Sequence, residues 1–158
     1  MALPLLLQPV RVLIVEPSSA LRKQVHSHFS VLSTLRRAGA LPSDGLLPAV
    51  HLHSGRPQSQ SDWILLEQFD VVVSTPGSPS PVIAPGSPTD LFDLIIFDEA
   101  HYAPADSWVA HVEHYTQTRF IFLTATPFRR DGRVIPGKLV YRYQVMRAVT
   151  DSHGEEPL

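Results

Sequence analysis

Apolar runs of strand length recur along the chain, and longer segments with helical periodicity separate them. The clear runs are Val10–Val15, Asp70–Ser74, Leu94–Phe97 and Arg119–Leu123, with a weaker one at Leu47–Leu52. Runs that are apolar at successive positions, without alternation, are typical of strands buried on both faces of a parallel sheet. Helices between such strands cover the two faces. The sequence therefore predicts an α/β fold with a mostly parallel central sheet.

Three of the intervening segments predict helices. Ser18 and Ser19 are candidate N-caps, and apolar side chains follow them at helical spacing as far as Arg36–Gly39, where this helix should end. Ser61–Phe69 has room for one or two helical turns, and Asp106–His114 for a longer helix.

One segment predicts irregular structure. Thr75–Thr89 contains five prolines, which cannot donate to a strand ladder. We expect an exposed surface loop over Pro76–Pro88, which is favoured over a Pro-rich docking motif.

Composition excludes several classes of protein. The chain has no cysteine, so disulfides and Cys-ligated zinc are excluded, and its net charge of −2 gives no overall basic field for nucleic acid. The apolar stretch Met1–Val15 is interrupted by Arg11, is too short to span a bilayer and lacks the pattern of a signal peptide. We expect a soluble, cytoplasmic protein with no membrane partner.

Polar residues follow the predicted strands. They are Glu16, Pro17 and Ser18, then Ser74 and Thr75, then Asp98 and Glu99, and finally Thr124 and Thr126. The carboxyl ends of parallel strands meet at one edge of a sheet, where such folds bind ligands. This edge is therefore the predicted functional site.

The tetrapeptide Asp98-Glu99-Ala100-His101 is the sharpest feature of that edge. Two adjacent carboxylates after a buried strand are unfavourable unless something uses them. A magnesium nucleotide would use both, because one carboxylate can hold the hydrated metal and the next can polarise the attacking water. Capping of the following helix is the alternative explanation.

Four motifs that follow one another along the chain favour a nucleotide site over helix capping at Asp98 and Glu99. Asp98–His101 and Thr124–Thr126 are accompanied upstream by Val12–Val25 (VLIVEPSSALRKQV) and Val71–Pro76 (VVVSTP). Together they resemble motifs II, III, Ia and Ib of the DEAD/DEAH-box branch of superfamily-two helicases, particularly the group of restriction-enzyme translocases and repair helicases. The resemblance covers about residues 10–143. It implies a first RecA-like lobe, a three-layer sandwich, from a nucleic-acid-dependent ATPase.

The resemblance also implies roles for single residues. Asp98 would hold magnesium through water, Glu99 would be the general base, and His101 would connect the nucleotide site to neighbouring motifs. The residues that transmit the nucleotide state would be Thr124, Ala125 and Thr126.

Hydroxyl side chains would contact the nucleic acid in this family. The matching residues are Ser18, Ser19, Ser74 and Thr75. Hydroxyls beside helix N-termini suit phosphate oxygens, and DNA is favoured over RNA as the partner.

One family element has no match. The phosphate loop G-x-x-x-x-G-K-[ST] should precede motif Ia, yet neither Gly nor Lys occurs upstream of Val10. Gly132–Lys138 has the spacing G-x-x-x-x-G-K, but Leu139 replaces the Ser or Thr. Moreover, Leu139–Tyr141 predicts a strand where a helix is needed. We therefore expect this match to be fortuitous.

These departures predict an incomplete domain. Residues 1–143 would be part of the first lobe and residues 144–158 the start of a linker to a missing second RecA-like lobe. ATP with magnesium, the cofactor that the resemblance implies, should bind weakly or not at all. The alternative is a non-enzymatic domain that binds nucleic acid or protein on a degenerate RecA-like scaffold.

Three smaller signals remain. The stretch Arg119–Arg147 carries seven basic residues and one acidic residue, which suits either a phosphate backbone or a linker facing the second lobe. The histidine pairs have no zinc spacing, so surface or helix-face positions are expected. Trp63 and Trp108 are expected to pack in or beside the core rather than to stack on bases.

Overall fold

A computed structural model describes residues 11–42, 45–76, 86–101, 105–125, 135 and 137–142, without the side chains of 105–107. The described strands are β1 (Val12–Val15), β2 (Val50–Leu52), β3 (Val71–Ser74), β4 (Leu94–Phe97) and β5 (Arg119–Phe122). They form one sheet in the order β2-β3-β1-β4-β5, and every pair is parallel. This confirms the predicted α/β fold.

The register places the ends of neighbouring strands at one level. Val15 lies opposite Ser74 on one side and Phe97 on the other, and Phe97 lies opposite Phe122. The residues that follow these strands therefore come out along a common edge.

The described helices are α1 (Ser19–Val31), α2 (Ser33–Arg37), α3 (Gln60–Leu66) and α4 (Ala105–His114). Alternate residues of each strand point to opposite faces of a sheet, and the two hydrophobic clusters follow that rule. Leu13 and Val15 pack with the α3 and α4 side, whereas Val12 and Ile14 pack with α1. Helices thus cover both faces, as a three-layer fold requires.

The single helix predicted from Ser18 to Arg36–Gly39 is wrong, because Leu32 divides it. Ser18 does cap α1, since its Oγ accepts from the Leu21 N–H at 3.3 Å. Leu32 adopts a left-handed conformation with φ 47°, and its side chain is buried among the residues under α1. Burial of this leucine outweighs the unfavourable backbone conformation that ends the helix.

β5 departs from its prediction as a fully buried strand. Its side chains are exposed at Arg119 and only partly buried at Phe120–Phe122, because β5 is at the edge of the described sheet. The strand predicted at Leu139–Tyr141 is also wrong, because these residues have no regular secondary structure and Val140 is 87% exposed.

The weak strand prediction at Leu47–Leu52 holds only for Val50–Leu52, and Leu47 is exposed. The tryptophan predictions are confirmed, since Trp63 and Trp108 both lie in the core on the α3 and α4 side. Among the described helices, none is long and apolar enough to cross a membrane.

The predicted loop lies mostly outside the described residues, but its end is ordered by α4. Ser87 is buried, and its Oγ lies 3.0 Å from the Tyr115 hydroxyl. The Ser87 carbonyl also lies 3.1 Å from Nε2 of His114. The prediction that Pro76–Pro88 is exposed is therefore wrong at Ser87. A proline-rich segment can still be held in place by contacts of its hydroxyl and carbonyl groups.

Candidate functional site

Backbone hydrogen bonds extend the sheet past the ends of its strands. The Asp98 N–H donates to the Val15 carbonyl at 3.0 Å, and the Ala100 N–H donates to the Leu123 carbonyl at 2.9 Å. Asp98 and Glu99 therefore lie at the carboxyl end of β4, between β1 and β5, as predicted.

Glu99 has an unusual backbone conformation. Its φ is 45°, in the left-handed region that residues other than glycine rarely adopt. Its N–H donates to Oδ1 of Asp98 at 2.9 Å, and the next residue, Ala100, is fully buried. Conformations of this kind are unfavourable by on the order of 1–3 kcal/mol and occur often at functional sites. The Asp98 carboxylate and the burial of Ala100 hold Glu99 in this position.

His101 connects the ends of β4 and β5. Its Nδ1 lies 2.7 Å from the Thr124 hydroxyl and 3.2 Å from Oε2 of Glu99. The second contact is an ion pair when the imidazole is protonated, although Oε2 has no aligned hydrogen bond. A change in protonation or a small movement of Glu99 would therefore alter the contact between His101 and Thr124. Ala125 follows on the surface, and Thr126 lies outside the described residues.

Glu16, for which the sequence predicts no role, also lies at this edge of the sheet. It is fully buried, and neither carboxylate oxygen has a hydrogen-bond partner within the described part of the chain. Burial, and then the charges of Asp98 and Glu99, raise the pKa of Glu16 to about 7. The available signal was an acidic residue in direct continuation of the apolar run Val10–Val15.

The hydroxyl residues follow β1 and β3, which are adjacent strands. The Glu16 N–H donates to the Ser74 carbonyl at 2.9 Å, which joins the two strand ends. Ser18 and Ser19 are exposed at the beginning of α1, and Thr75 is half-buried, whereas Ser74 is fully buried. Three of these four hydroxyl residues are thus accessible at the edge.

A different electrostatic environment surrounds the end of β2. His53 follows this strand and is 8% exposed, so the expected surface position is wrong for this histidine. Its carbonyl accepts from Nη1 of Arg22 at 2.6 Å. Burial, His51 and Arg22 lower the pKa of His53 to about 4, against a smaller opposing effect of Asp62. Nε2 of His53 has no partner among the described residues.

Within the described residues, the acidic side chains of this edge do not form a metal site by themselves. Across the described ranges, no three His, Asp or Glu side chains are close enough together to hold a metal ion. Mg²⁺ commonly uses one or two carboxylates and completes its shell with water and substrate phosphates. Asp98, which is only half-buried, can serve as such a carboxylate.

Comparison with known proteins identifies a family. The family model described as DEAD/DEAH box helicase matches residues 1–133. No curated protein matches the chain.

Proposed function

Since the chain belongs to the DEAD/DEAH box helicase family, we propose that this sheet edge is the nucleotide site of a DEAH-type, nucleic-acid-dependent ATPase motor. The observation that carries the proposal is the contact of His101 with both Thr124 and Glu99. It joins the two strand ends that a motor would have to couple. The wholly parallel sheet with helices on both faces is consistent with a RecA-like lobe.

Asp98 and Glu99 would divide the chemistry between them. Asp98 would hold a magnesium ion through water, and the ion would neutralise charge on the phosphates. Glu99 would orient the attacking water and accept its proton. Its left-handed backbone conformation fixes the carboxylate beside His101 and so favours one orientation over many.

His101, Thr124, Ala125 and Thr126 would transmit the state of the nucleotide. Displacement of Glu99 would change the hydrogen bond between His101 and Thr124, and therefore the segment that follows β5. That segment would face the nucleic acid and a second RecA-like lobe, both of which are proposed partners.

Nucleic acid would bind at the ends of β1 and β3. Ser18 and Ser19 stand at the start of a 13-residue helix, where backbone N–H groups attract phosphate. Thr75 would add a hydroxyl after the neighbouring strand, and the Oγ of buried Ser74 donates to the Thr75 carbonyl at 3.4 Å. We favour DNA over RNA as the nucleic acid. We also favour the group of restriction-enzyme translocases and repair helicases as the subfamily, and the cytoplasm as the location of the protein.

An interaction domain without hydrolysis is the second candidate, and it is favoured for these 158 residues because none of them supplies a phosphate loop. The fortuitous match ends at Gly137 and Lys138, both exposed, and the described residues that follow, Leu139–Arg142, form no helix. A helix after the loop is needed to present N–H groups to the phosphates. The described residues Gly137–Arg142 therefore do not support nucleotide binding at this match.

We expect the 158-residue chain alone to hydrolyse ATP no faster than its Glu99→Gln variant, with or without single-stranded DNA. The phosphate loop supplies much of the positioning and charge neutralisation in phosphoryl transfer, and these residues contain no such loop. Steady-state phosphate release measures this. A rate well above background in the wild type, absent in Glu99→Gln, would show that another group replaces the loop.

Weak nucleotide binding separates the two candidate functions. A magnesium–ATP titration followed by amide NMR should shift Asp98, Glu99 and Thr124 with a Kd in the millimolar range or weaker, about 4 kcal/mol or less. Asp98→Asn should abolish these shifts. Their absence in the wild type, together with binding of single-stranded DNA that Asp98→Asn leaves unchanged, would favour the interaction domain.

A further inference from the structure

We propose that the outer edge of β5 is a docking site for the segment Lys138–Arg142 of a second copy of the chain, which adds to the sheet as a further strand. Reciprocal exchange of this segment closes a two-fold symmetric dimer. The inference goes beyond the proposed function and does not depend on it, because neither nucleotide nor nucleic acid takes part.

The backbone of β5 is available on its outer side. Within the described part of the chain, β5 pairs only with β4. The N–H groups of Arg119 and Leu123 donate to backbone carbonyls on the β4 side at 3.2 and 2.9 Å. Because backbone groups alternate in direction along a strand, the N–H and C=O groups of Phe120 and Phe122 face the outer side. They are positioned to bond an added strand.

The side chains of β5 leave apolar surface on both faces of the sheet. All four residues of β1, β3 and β4 are buried, whereas Phe120, Ile121 and Phe122 are only partly buried. Phe120 and Phe122 pack against the core on the α3 and α4 side, and Ile121 packs against the core on the α1 side. An added strand would cover both faces at once, which favours its binding.

The segment Lys138–Arg142 has the composition of such a strand. Its central residues, Leu139, Val140 and Tyr141, belong to an exposed run without regular secondary structure, and aromatic and β-branched residues favour strands. Leu139 is 69% exposed and Val140 is 87% exposed, too much for packing against β5 of the same chain. The segment is therefore presented to another molecule, and a second copy has the matching edge.

Carboxylates lie at both ends of β5. At its amino end, Asp90 and Asp93 line a cavity of about 300 Å³ together with Arg119. At its carboxyl end, a backbone hydrogen bond joins the residue after Glu99 to Leu123. The Glu99 side chain is 37% exposed there. Acidic groups therefore outnumber the single basic residue of β5.

The segment has the complementary charges. Lys138 and Arg142, both exposed, flank its three apolar residues, just as carboxylates flank the three apolar residues of β5. When the two apolar runs are aligned, Val140 lies opposite Ile121 whether the added strand is parallel or antiparallel. Each basic end then lies near an acidic end of β5, which favours this alignment over others.

Sedimentation equilibrium of the 158-residue chain tests the association. We expect a dimer with a Kd in the micromolar range, because one added strand per copy is a small interface. Val140→Asp, which places a charge opposite Ile121, should raise this Kd at least about tenfold. Leu46→Asp is the matched control, because Leu46 is 97% exposed, lies outside regular structure and receives the same charge. A monomer at all concentrations up to millimolar, or an equal Kd in the two variants, would overturn the proposal.

Charge reversal tests the complementary ends. Lys138→Glu changes two exposed attractive contacts of the dimer into repulsive ones and should raise the Kd about fivefold. Lys23→Glu, at an exposed position on α1, should leave the Kd unchanged. Equal effects of the two reversals would contradict the alignment.

A disulfide identifies the occupant of the edge. The chain has no cysteine, so Ile121→Cys and Val140→Cys introduce the only thiols. An equimolar mixture of the two single variants should form a covalent dimer on oxidation, much faster than either variant alone. The double variant should give the same covalent dimer. A disulfide within one chain of the double variant would show that the segment covers β5 of its own chain, and it would overturn the proposed dimer.

Discussion

Glu16 and His53 stand at equivalent places on different strands of the sheet. Each directly follows a parallel strand at the carboxyl edge, each is buried, and each has side-chain atoms without a hydrogen-bond partner in the described residues. Their surroundings have opposite charge. Asp98 and Glu99 lie near Glu16, whereas His51 and Arg22 lie near His53.

The comparison shows that one edge of the sheet contains two electrostatic halves. In each half, burial and like charge disfavour ionisation, so that the pKa rises to about 7 at Glu16 and falls to about 4 at His53. The second half, where Arg22 donates to the His53 carbonyl, holds the beginning of α1 against β2.

The largest effect is expected from Glu16→Gln. The pKa of Glu16 is raised from 4.5 to about 7 in the folded protein. The free energy of unfolding therefore falls as the pH rises from 4.5 through 7. The amide removes that loss, so we expect the variant to be more stable by about 3 kcal/mol at pH 8 and nearly unchanged at pH 4. Urea unfolding at the two pH values measures this, with Glu113→Gln as control. An equal increase in stability at both pH values would contradict the raised pKa of Glu16 and the opposite pH dependence expected for Glu16 and His53.

A smaller effect of opposite pH dependence is expected from His53→Asn. A pKa lowered from 6.5 to about 4 means that stability present above pH 6.5 is lost as the pH falls toward 4. Relative to its effect at pH 7.5, the substitution should therefore improve stability at pH 5 by about 2 kcal/mol. His28→Asn, at an exposed position on α1, is the control. If acid unfolds His53→Asn and His28→Asn identically, the lowered pKa of His53 is contradicted.

The smallest effect is expected at the backbone of Glu99. Glycine adopts a φ of 45° without strain, so Glu99→Gly should stabilise the fold by about 1 kcal/mol relative to Glu99→Ala. Both variants remove the Glu99 carboxylate, and they differ only in the Cβ that disfavours this backbone conformation. Urea midpoints at pH 7 measure the difference, and a less stable Glu99→Gly would show that the left-handed conformation is not strained.

Local pattern was sufficient for the strands that lie inside the sheet. The apolar runs around Ile14, Val72 and Ile96 predicted buried parallel strands, and the acidic pair after Phe97 predicted the edge at which the site lies. These features depend on neighbours in sequence, which a single chain displays directly.

Features that depend on distant contacts were not predictable in this way. Leu32 breaks a continuous helical pattern because its side chain is needed in the core, and Ser87 is buried because Tyr115 lies beside it. Glu16 belongs to the site because β1 lies next to β4, and the strand order is a property of the tertiary fold. The roles of the site residues stay predictions.

The position of β5 has a consequence for the behaviour of the protein at high concentration. Its outer side pairs with no strand in the described part of the chain, and its partly exposed side chains are aromatic or aliphatic apart from Arg119. Open strand edges template pairing with other chains, and charged residues oppose this. We therefore expect self-association during refolding to begin at this strand, to increase with protein concentration, and to increase further when Arg119 is replaced by an apolar residue.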